Sequence, residues 1–405
     1  DGDDTTEGAT DTTAADGTTT APQNEGDGTL KIGTVLPETG SLAFLGPPEF
    51  AGVDLAVQEI NEAGGVLGEP IEVIHGDSGD TTTDIANQTT DRLLNQNVDV
   101  IIGAASSAVS MTIIDKITGA GVVQFSPANT SPEFTDYDDD GLYFRTAPSD
   151  VLQGRILGEL IVEEGNATVG MIVLQDPYGE PLAENIEEAV EASGAEVVAK
   201  EIYDPAAQNF DAEVQALVAA DPEAIVVIGF DESSRIMSTM IEQGIGPENK
   251  NVYTVDGNTA DALGDQLPEG ALEKVKGTIP GAETSAEFRE RLKAVQPGLR
   301  DFAYAGESYD AVVVSALAAE AADSDAGRDI AENIADVTRE GEKCTTFAEC
   351  KEMLDAGDDI DYDGVSGPIE LSDAGDPTAA TIGIYTFNPD NTLNQEDVTY
   401  REGTL

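Results

Sequence analysis

The chain has 405 residues, 19 Lys and Arg against 80 Asp and Glu, and a formal net charge of −61. That length suits two domains with large cores, and the charge argues against nucleic acid or an anionic membrane surface as partners. Trp is absent and His75 is the sole histidine, so histidine-dependent triads and multi-histidine metal sites lack their residues.

Residues 1–28 are almost wholly Asp, Gly, Thr, Ala and Glu, with too little apolar surface to offset the entropy of ordering. The expectation is a disordered acidic tether. It carries no signal peptide, so export would place the signal, and any lipid-modified cysteine, upstream of Asp1.

From Thr29 the pattern changes to strand and helix in alternation. LKIGTVLP (30–37) is an apolar strand, followed by a Gly- and Pro-rich loop and a helix whose Phe50, Val53, Val57 and Ile60 share one face before Gly64 and Gly65 end it. A strand at 71–77, a helix over 82–95, a strand at 98–103, a helix to 120 and the strand VVQFSP come next. In IIGAASSAVS (101–110) a buried run stops at Gly103, and Ser106 and Ser107 open the helix. Unpaired N–H groups and a partial positive charge at such a start suit an anion. Simple N-capping by the serines is the plainer reading.

The same grammar restarts after Arg145. Strands at 168–174, 195–203, 224–230 and 251–256 alternate with helices over 150–164, 179–193, 209–220 and up to 243. The segments 144–150 and 277–281 are expected as connectors between lobes. Helices near 284–297, 304–322, 326–338 and 346–355 and β-like runs at 365–371 and 380–387 complete the chain. The helix near 304–322 is its best apolar stretch, but the run 311–322 is too short to cross a bilayer and contains Glu320. The expected fold class is α/β, with two doubly wound parallel-sheet lobes.

In open parallel sheets the ligand crevice lies beyond the carboxyl ends of the strands. In the first lobe those ends carry 41–45, Asp77, Ser106, Ser107 and 128–130; in the second they carry 176–178, Phe230, Asp231 and Asp256. Hydroxyls and main-chain donors on one side and acids with aromatic rings on the other describe a zwitterion. An α-amino acid fits, with its carboxylate at Ser107, the Ala128 N–H and Thr130, its ammonium at Asp256, and its side chain among Phe44, Leu45, Tyr178 and Phe230.

Two cysteines, Cys344 and Cys350 in KCTTFAEC, have neither zinc-knuckle nor CxxC spacing; a local disulfide is expected, with reduced structural thiols as the alternative. Asp359, Asp361, Asp363 and Glu370 in DIDYDGVSGPIE match calcium-loop spacing. No convincing helix follows and Pro368 sits late, so no metal is assigned. Nucleotide-binding glycine loops and the G-x-S-x-G elbow are missing, and no base stands near Ser107, so no enzyme and no cofactor are expected.

The series GTVLPETGSLAFLG, INEAGGVLGEPIEV, VIIGAASS, FSPANTSPEFT, YFRTAPSD, LQDPYGEPLA, VVIGF and YDGVSGPIEL resembles the branched-chain amino acid-binding class of ABC-transporter solute-binding proteins. The resemblance runs from about Thr29 to the end. It implies a type I periplasmic-binding fold with three hinge crossings, near Pro148, 277–280 and 363–366, so that lobe 1 is 29–148 plus 280–362 and lobe 2 is 149–279 plus 363–405. It also implies an extracytoplasmic, lipid-anchored monomer that delivers a small amino acid to a membrane permease. On matching positions it puts Ser107, Ala128 and Thr130 at the ligand carboxylate, Asp256 at the ammonium, and Tyr178 and Phe230 over the pocket. Some relatives carry Glu where Asp256 stands and a larger ring at Leu45, and the class includes binders of amides, urea and aromatic acids. The same fold also serves as the ligand-sensing ectodomain of signalling receptors.

Overall fold

A computed structural model describes residues 24–405. Up to residue 23 the expected tether lies outside the described residues; its last part, 24–28, is anchored rather than loose. The Asn24 side chain donates to Asp99 Oδ1 at 2.7 Å, and the N–H groups of Asp27, Gly28 and Thr29 converge on Asp325 Oδ2 at 2.7–3.0 Å.

The first sheet is built from β1 (Lys31–Val35), β2 (Glu72–Ile74), β3 (Val100–Gly103), β4 (Val123–Ser126) and β5 (Tyr143–Arg145), with α1 (Gly46–Glu62), α2 (Ile85–Leu94) and α3 (Ser107–Gly119) between them. All its strands are parallel, in the order β2-β1-β3-β4-β5. Side chains alternate between faces along a strand. Val100 and Ile102 therefore join α1 in one core, while Ile101 packs with Leu93, Ile113 and Ile117 of α2 and α3 in another. Apolar cover on both faces is why these strands read as unbroken hydrophobic runs.

The second lobe opens with α4 (Asp150–Glu163) and continues through β6 (Thr168–Leu174), α5 (Gly179–Ala192), β7 (Glu196–Tyr203), α6 (Asp211–Ala220), β8 (Ala224–Ile228), α7 (Ser233–Glu242), β9 (Asn251–Thr254), α8 (Asp261–Gly264) and β10 (Lys276–Pro280). The chain returns to the first lobe with α9 (Ala286–Val295), α10 (Ala305–Ala322), α11 (Gly327–Ile334), β11 (Glu342–Cys344), α12 (Phe347–Ala356), β12 (Ile360–Gly364) and β13 (Gly367–Pro368). It ends in the second with β14 (Ala379–Thr386) and β15 (Thr399–Thr404), giving the order β15-β14-β10-β9-β8-β6-β7. No helix of the described residues is long and apolar enough to cross a membrane.

The doubly wound α/β class holds in both lobes, with three corrections of detail. The second sheet is mixed, because β14 and β15 run antiparallel to their neighbours; they are joined without a helix, which only antiparallel strands allow. Residues 277–280 are part of a strand paired on both sides, so the second crossing follows at 281–285. The third crossing is 369–378 rather than 363–366. β12 pairs with β11, and the Asp310 carboxylate of α10 gathers the Tyr362 hydroxyl, the Val365 N–H and the Ser366 N–H and hydroxyl, holding this stretch in the first lobe.

Arg145, wholly buried where the first crossing begins, donates to Asp376 in the third through Nε (2.6 Å) and Nη2 (3.0 Å), and through Nη1 to the Ser131 carbonyl (2.7 Å). A forked pair of this kind fixes both distance and plane. Cys344 and Cys350 are joined by a disulfide, Cα atoms 5.4 Å apart, inside the first-lobe core.

Asp376→Ala, which strands a buried guanidinium, is expected to cost about 3–5 kcal/mol of unfolding free energy; a urea titration showing no loss would contradict this role. Burial raises the carboxyls of Glu307 to about 8 and Asp99 to about 7, from 4.5 and 3.8. The folded chain thus holds protons that the unfolded chain releases, and these groups favour folding less as pH rises through that window. At fixed high salt the unfolding temperature should fall between about pH 5 and about pH 8; a rise would contradict the assignment.

Candidate ligand-binding site

Gly103 ends β3 with φ +123°, and a Cβ there would stand 2.1 Å from the Val35 carbonyl oxygen. Only glycine allows that turn, which swings the chain out of the sheet so that α3 begins at the crevice. Ser106 caps α3, its Oγ accepting from the Val109 N–H at 3.4 Å, as in the plainer reading of this serine. The N–H groups of Ser107 and Ala108 have no acceptor within the helix.

A buried polar network fixes these loops. Asn129 donates to the Ala104 and Ala105 carbonyls at 3.0 and 2.9 Å, and Ser126 donates to Ala104 O at 2.7 Å while its Oγ accepts from the N–H groups of Ala128 (3.2 Å) and Asn129 (2.9 Å). The Ala128 N–H therefore has an internal acceptor already. Ser107 Oγ accepts from the Ser131 N–H at 3.4 Å, a long contact. The Thr130 hydroxyl, 1% exposed, faces the Asp150 carboxyl.

On the facing wall Asp256, 6% exposed, follows β9. Its Oδ1 accepts from the Tyr178 hydroxyl (2.6 Å) and the Gln153 amide (2.8 Å), its Oδ2 from the Tyr304 hydroxyl (2.7 Å). Tyr178 and Gln153 belong to the second lobe; Tyr304 precedes α10 of the first, so one carboxylate is held from both sides. Among the described residues no Lys, Arg or His pairs with it. Burial first, and then the Asp256 charge, raise both phenols well above their usual range, so they remain donors. Burial and the same charge also push the Asp150 carboxyl well up, and the Gln153 amide bridges Asp150 to Asp256. The Tyr178 ring stacks on Phe230, centroids 5.5 Å apart. Glu232 positions that ring, its Oε1 accepting from the Phe230 N–H (2.9 Å) and the Tyr203 hydroxyl (2.5 Å).

Leu45, Ser106, Ser107, Ala128, Thr130, Tyr178, Phe230 and Asp256 line one cavity together with Tyr304. Its free volume, about 20 Å³, holds a water or two and is too small for an amino acid. Asp231 lies instead in the adjoining outer cleft of about 340 Å³, beside Arg235 and Asp80. Phe44 lines neither; it is half-buried against the core that spans both lobes. The calcium spacing in 359–370 does not make a loop: β12 carries Asp361 and Asp363 to the Lys343 ammonium at 2.9 and 3.0 Å, and Glu370 is exposed beyond β13.

Gln153, Tyr304 and Glu232, which brace the candidate site, are residues that sequence reasoning missed. Glu232 had a signal, two positions after Phe230 at a strand end. Tyr304 had none, since its place depends on where the chain re-enters the first lobe.

The profile of the family described as periplasmic binding protein matches residues 29–388. The chain belongs to that family. Within it, the branched-chain amino acid-binding, type I group is the one the chain resembles throughout. A leucine-, isoleucine-, valine-, threonine- and alanine-binding protein of Pseudomonas aeruginosa is 28% identical over 59% of this chain and 66% of its own. The substrate-binding protein BasB of a chemotactic signal transduction system in Halobacterium salinarum is 25% identical over 87% of this chain and 86% of its own. The branched-chain amino acid transporter protein LivJ of Streptococcus pneumoniae, solved with isoleucine, superposes with a TM-score of 0.76 at 25% identity, covering 93% of this chain and all of that one. A solute-binding protein of R. palustris solved with benzoate has a TM-score of 0.71 at 18% identity, covering 93% of this chain and 98% of that one, a likeness of fold. This periplasmic binding protein is a solute-binding protein rather than an enzyme.

Tyr304→Phe leaves Asp256 Oδ2 buried without its donor and is expected to cost about 1–3 kcal/mol. Urea unfolding unchanged from wild type would contradict the bond between the lobes.

Proposed function

We propose that the protein captures a small zwitterionic amino acid, branched-chain or of similar size, between its lobes, closes over it, and passes it to the membrane permease of an ABC importer. The observation that carries this reading is Asp256: a buried carboxylate with neutral donors and, among the described residues, no cation of its own, facing the Thr130 hydroxyl and the start of α3 across a narrow gap. Buried charges are ordinarily paired, and a ligand ammonium supplies the missing partner. Ser107 and Thr130 receive the ligand carboxylate, while Leu45, Tyr178 and Phe230 enclose its side chain. Asp231, in the outer cleft, borders the entrance. The free volume requires the lobes to part before a ligand enters. Contact with both lobes then favours the closed form over the open one.

The family's extracytoplasmic setting supports display outside the cytoplasm, where the disulfide persists. The likeness to BasB favours one second reading, in which the loaded protein engages a chemotactic transducer. Deleting the gene would separate the two: loss of amino-acid uptake marks import, and loss of taxis with normal uptake marks sensing.

Calorimetry should show leucine, isoleucine or valine binding while 4-methylpentanoate and isopentylamine, each lacking one charge, fail. Asp256→Ala should weaken amino-acid binding by about 2–5 kcal/mol. Unchanged affinity in that variant, or benzoate binding in place of amino acids, would overturn the zwitterion reading.

A further inference from the structure

Most buried acids in this protein are matched. Asp310 accepts four hydrogen bonds from 362–366, and Asp376 is paired with Arg145. Glu307 and Glu49 are the exceptions. Glu307, in the first turn of α10, is 6% exposed, and among the described residues no other residue donates a hydrogen bond to its carboxyl. Glu49, in the first turn of α1, is wholly buried with neither carboxyl oxygen partnered. Gly52 brings α1 against α10, where a Cβ would stand 2.2 Å from the Ala305 carbonyl oxygen; burial first, and then the Glu307 charge, push the Glu49 carboxyl well up.

Glu307 opens onto a cavity of about 480 Å³ that belongs to the hinge and not to the interlobe site. Pro148 lines it from the first crossing, Gly281 from the second, Ile369 and Pro377 from the third, and Ala380 from β14. The volume suits a small organic molecule, and the proline, alanine and isoleucine walls suit an apolar body. The orphaned carboxyl calls for a positive charge. A bare divalent ion would need six or more oxygens, and no cluster of three ligating acids exists among the described residues.

We propose that the hinge cavity is a second ligand site, taking a small organic ammonium ion with an apolar body whose charged nitrogen pairs with Glu307, and that its occupant shifts the balance between open and closed lobes. Every crossing contributes a wall, so the cavity changes shape as the lobes swing. A ligand that fits one form better must bias the hinge, and the coupling to the interlobe ligand is reciprocal. Burial has raised the Glu307 carboxyl to about 8; it keeps its proton at neutral pH until a cation stands beside it.

Calorimetry on the full chain with cyclohexylammonium chloride tests this, with cyclohexanol as the uncharged twin. The amine should bind one to one, about tenfold or more tighter than the alcohol, as a hydrogen bond between charged groups requires. Glu307→Gln should lose that margin, and Ala380→Phe, which adds bulk to the cavity wall while keeping the acid, should abolish binding of both. Equal affinity for amine and alcohol, no binding at millimolar amine, or wild-type binding by Glu307→Gln would overturn the proposal. Should Glu307→Gln fail to fold, amine binding retained by Ala380→Phe overturns it equally. The cavity shares no residue with the interlobe site, so failure here leaves the amino-acid reading intact, and failure of that reading leaves this one.

Discussion

A single carboxylate in a protein crowded with carboxylates organises the interlobe site. Among the described residues most acids face water, where solvent and salt screen them. Asp256 is out of water, and two phenols and an amide donate to it instead of a cation. Because one phenol comes from the first lobe and the other two donors from the second, the demand for hydrogen bonds at this one group draws the lobes together. Its surroundings adjust to it: the neighbouring Asp150 carboxyl is driven towards its neutral form, and Tyr178 and Tyr304 are kept as donors. A site arranged this way is electrostatically incomplete, which is why the proposed ligand carries a cation.

The scaffold that brings these groups together is ordinary α/β topology applied twice. Each sheet reverses its strand order once, β1 beside β3 and β6 beside β8, and the loops leaving those strands meet at the gap. The hinge is less simple than three connectors. The forked Arg145–Asp376 pair binds the first crossing to the third, and the Tyr304–Asp256 bond joins the lobes at the gap.

Much of this was legible in the sequence, because strand ends in a doubly wound fold announce themselves. Unbroken apolar runs at 100–103, 168–174 and 224–228 each stop at a residue that lies at or near the gap, and the small, hydroxyl-rich stretch after Gly103 marked where a helix would begin there. What stayed hidden depends on long-range return of the chain. Tyr304 faces Asp256 only because α10 re-enters the first lobe, and the third crossing lies beyond β13 only because Asp310 holds residues 362–366 to α10. Local pattern also misled where a hydrophobic side chain had two places to go: Phe44 packs against the core that spans both lobes and does not line the cavity. Residues 24–28, composed like a tether, are ordered by Asp99 and Asp325, acids whose positions no local pattern discloses.

The most direct test places the ligand's nitrogen. Rotational-echo double-resonance NMR on the protein labelled with ¹³C at aspartate side chains and loaded with ¹⁵N-labelled amino acid measures the distance from the bound ammonium to the nearest carboxyl carbon. A separation of about 3.5 Å, as a charge-assisted hydrogen bond requires, that disappears on Asp256→Asn is the predicted result; a bound amino acid whose nitrogen lies beyond reach of any aspartate would contradict the account.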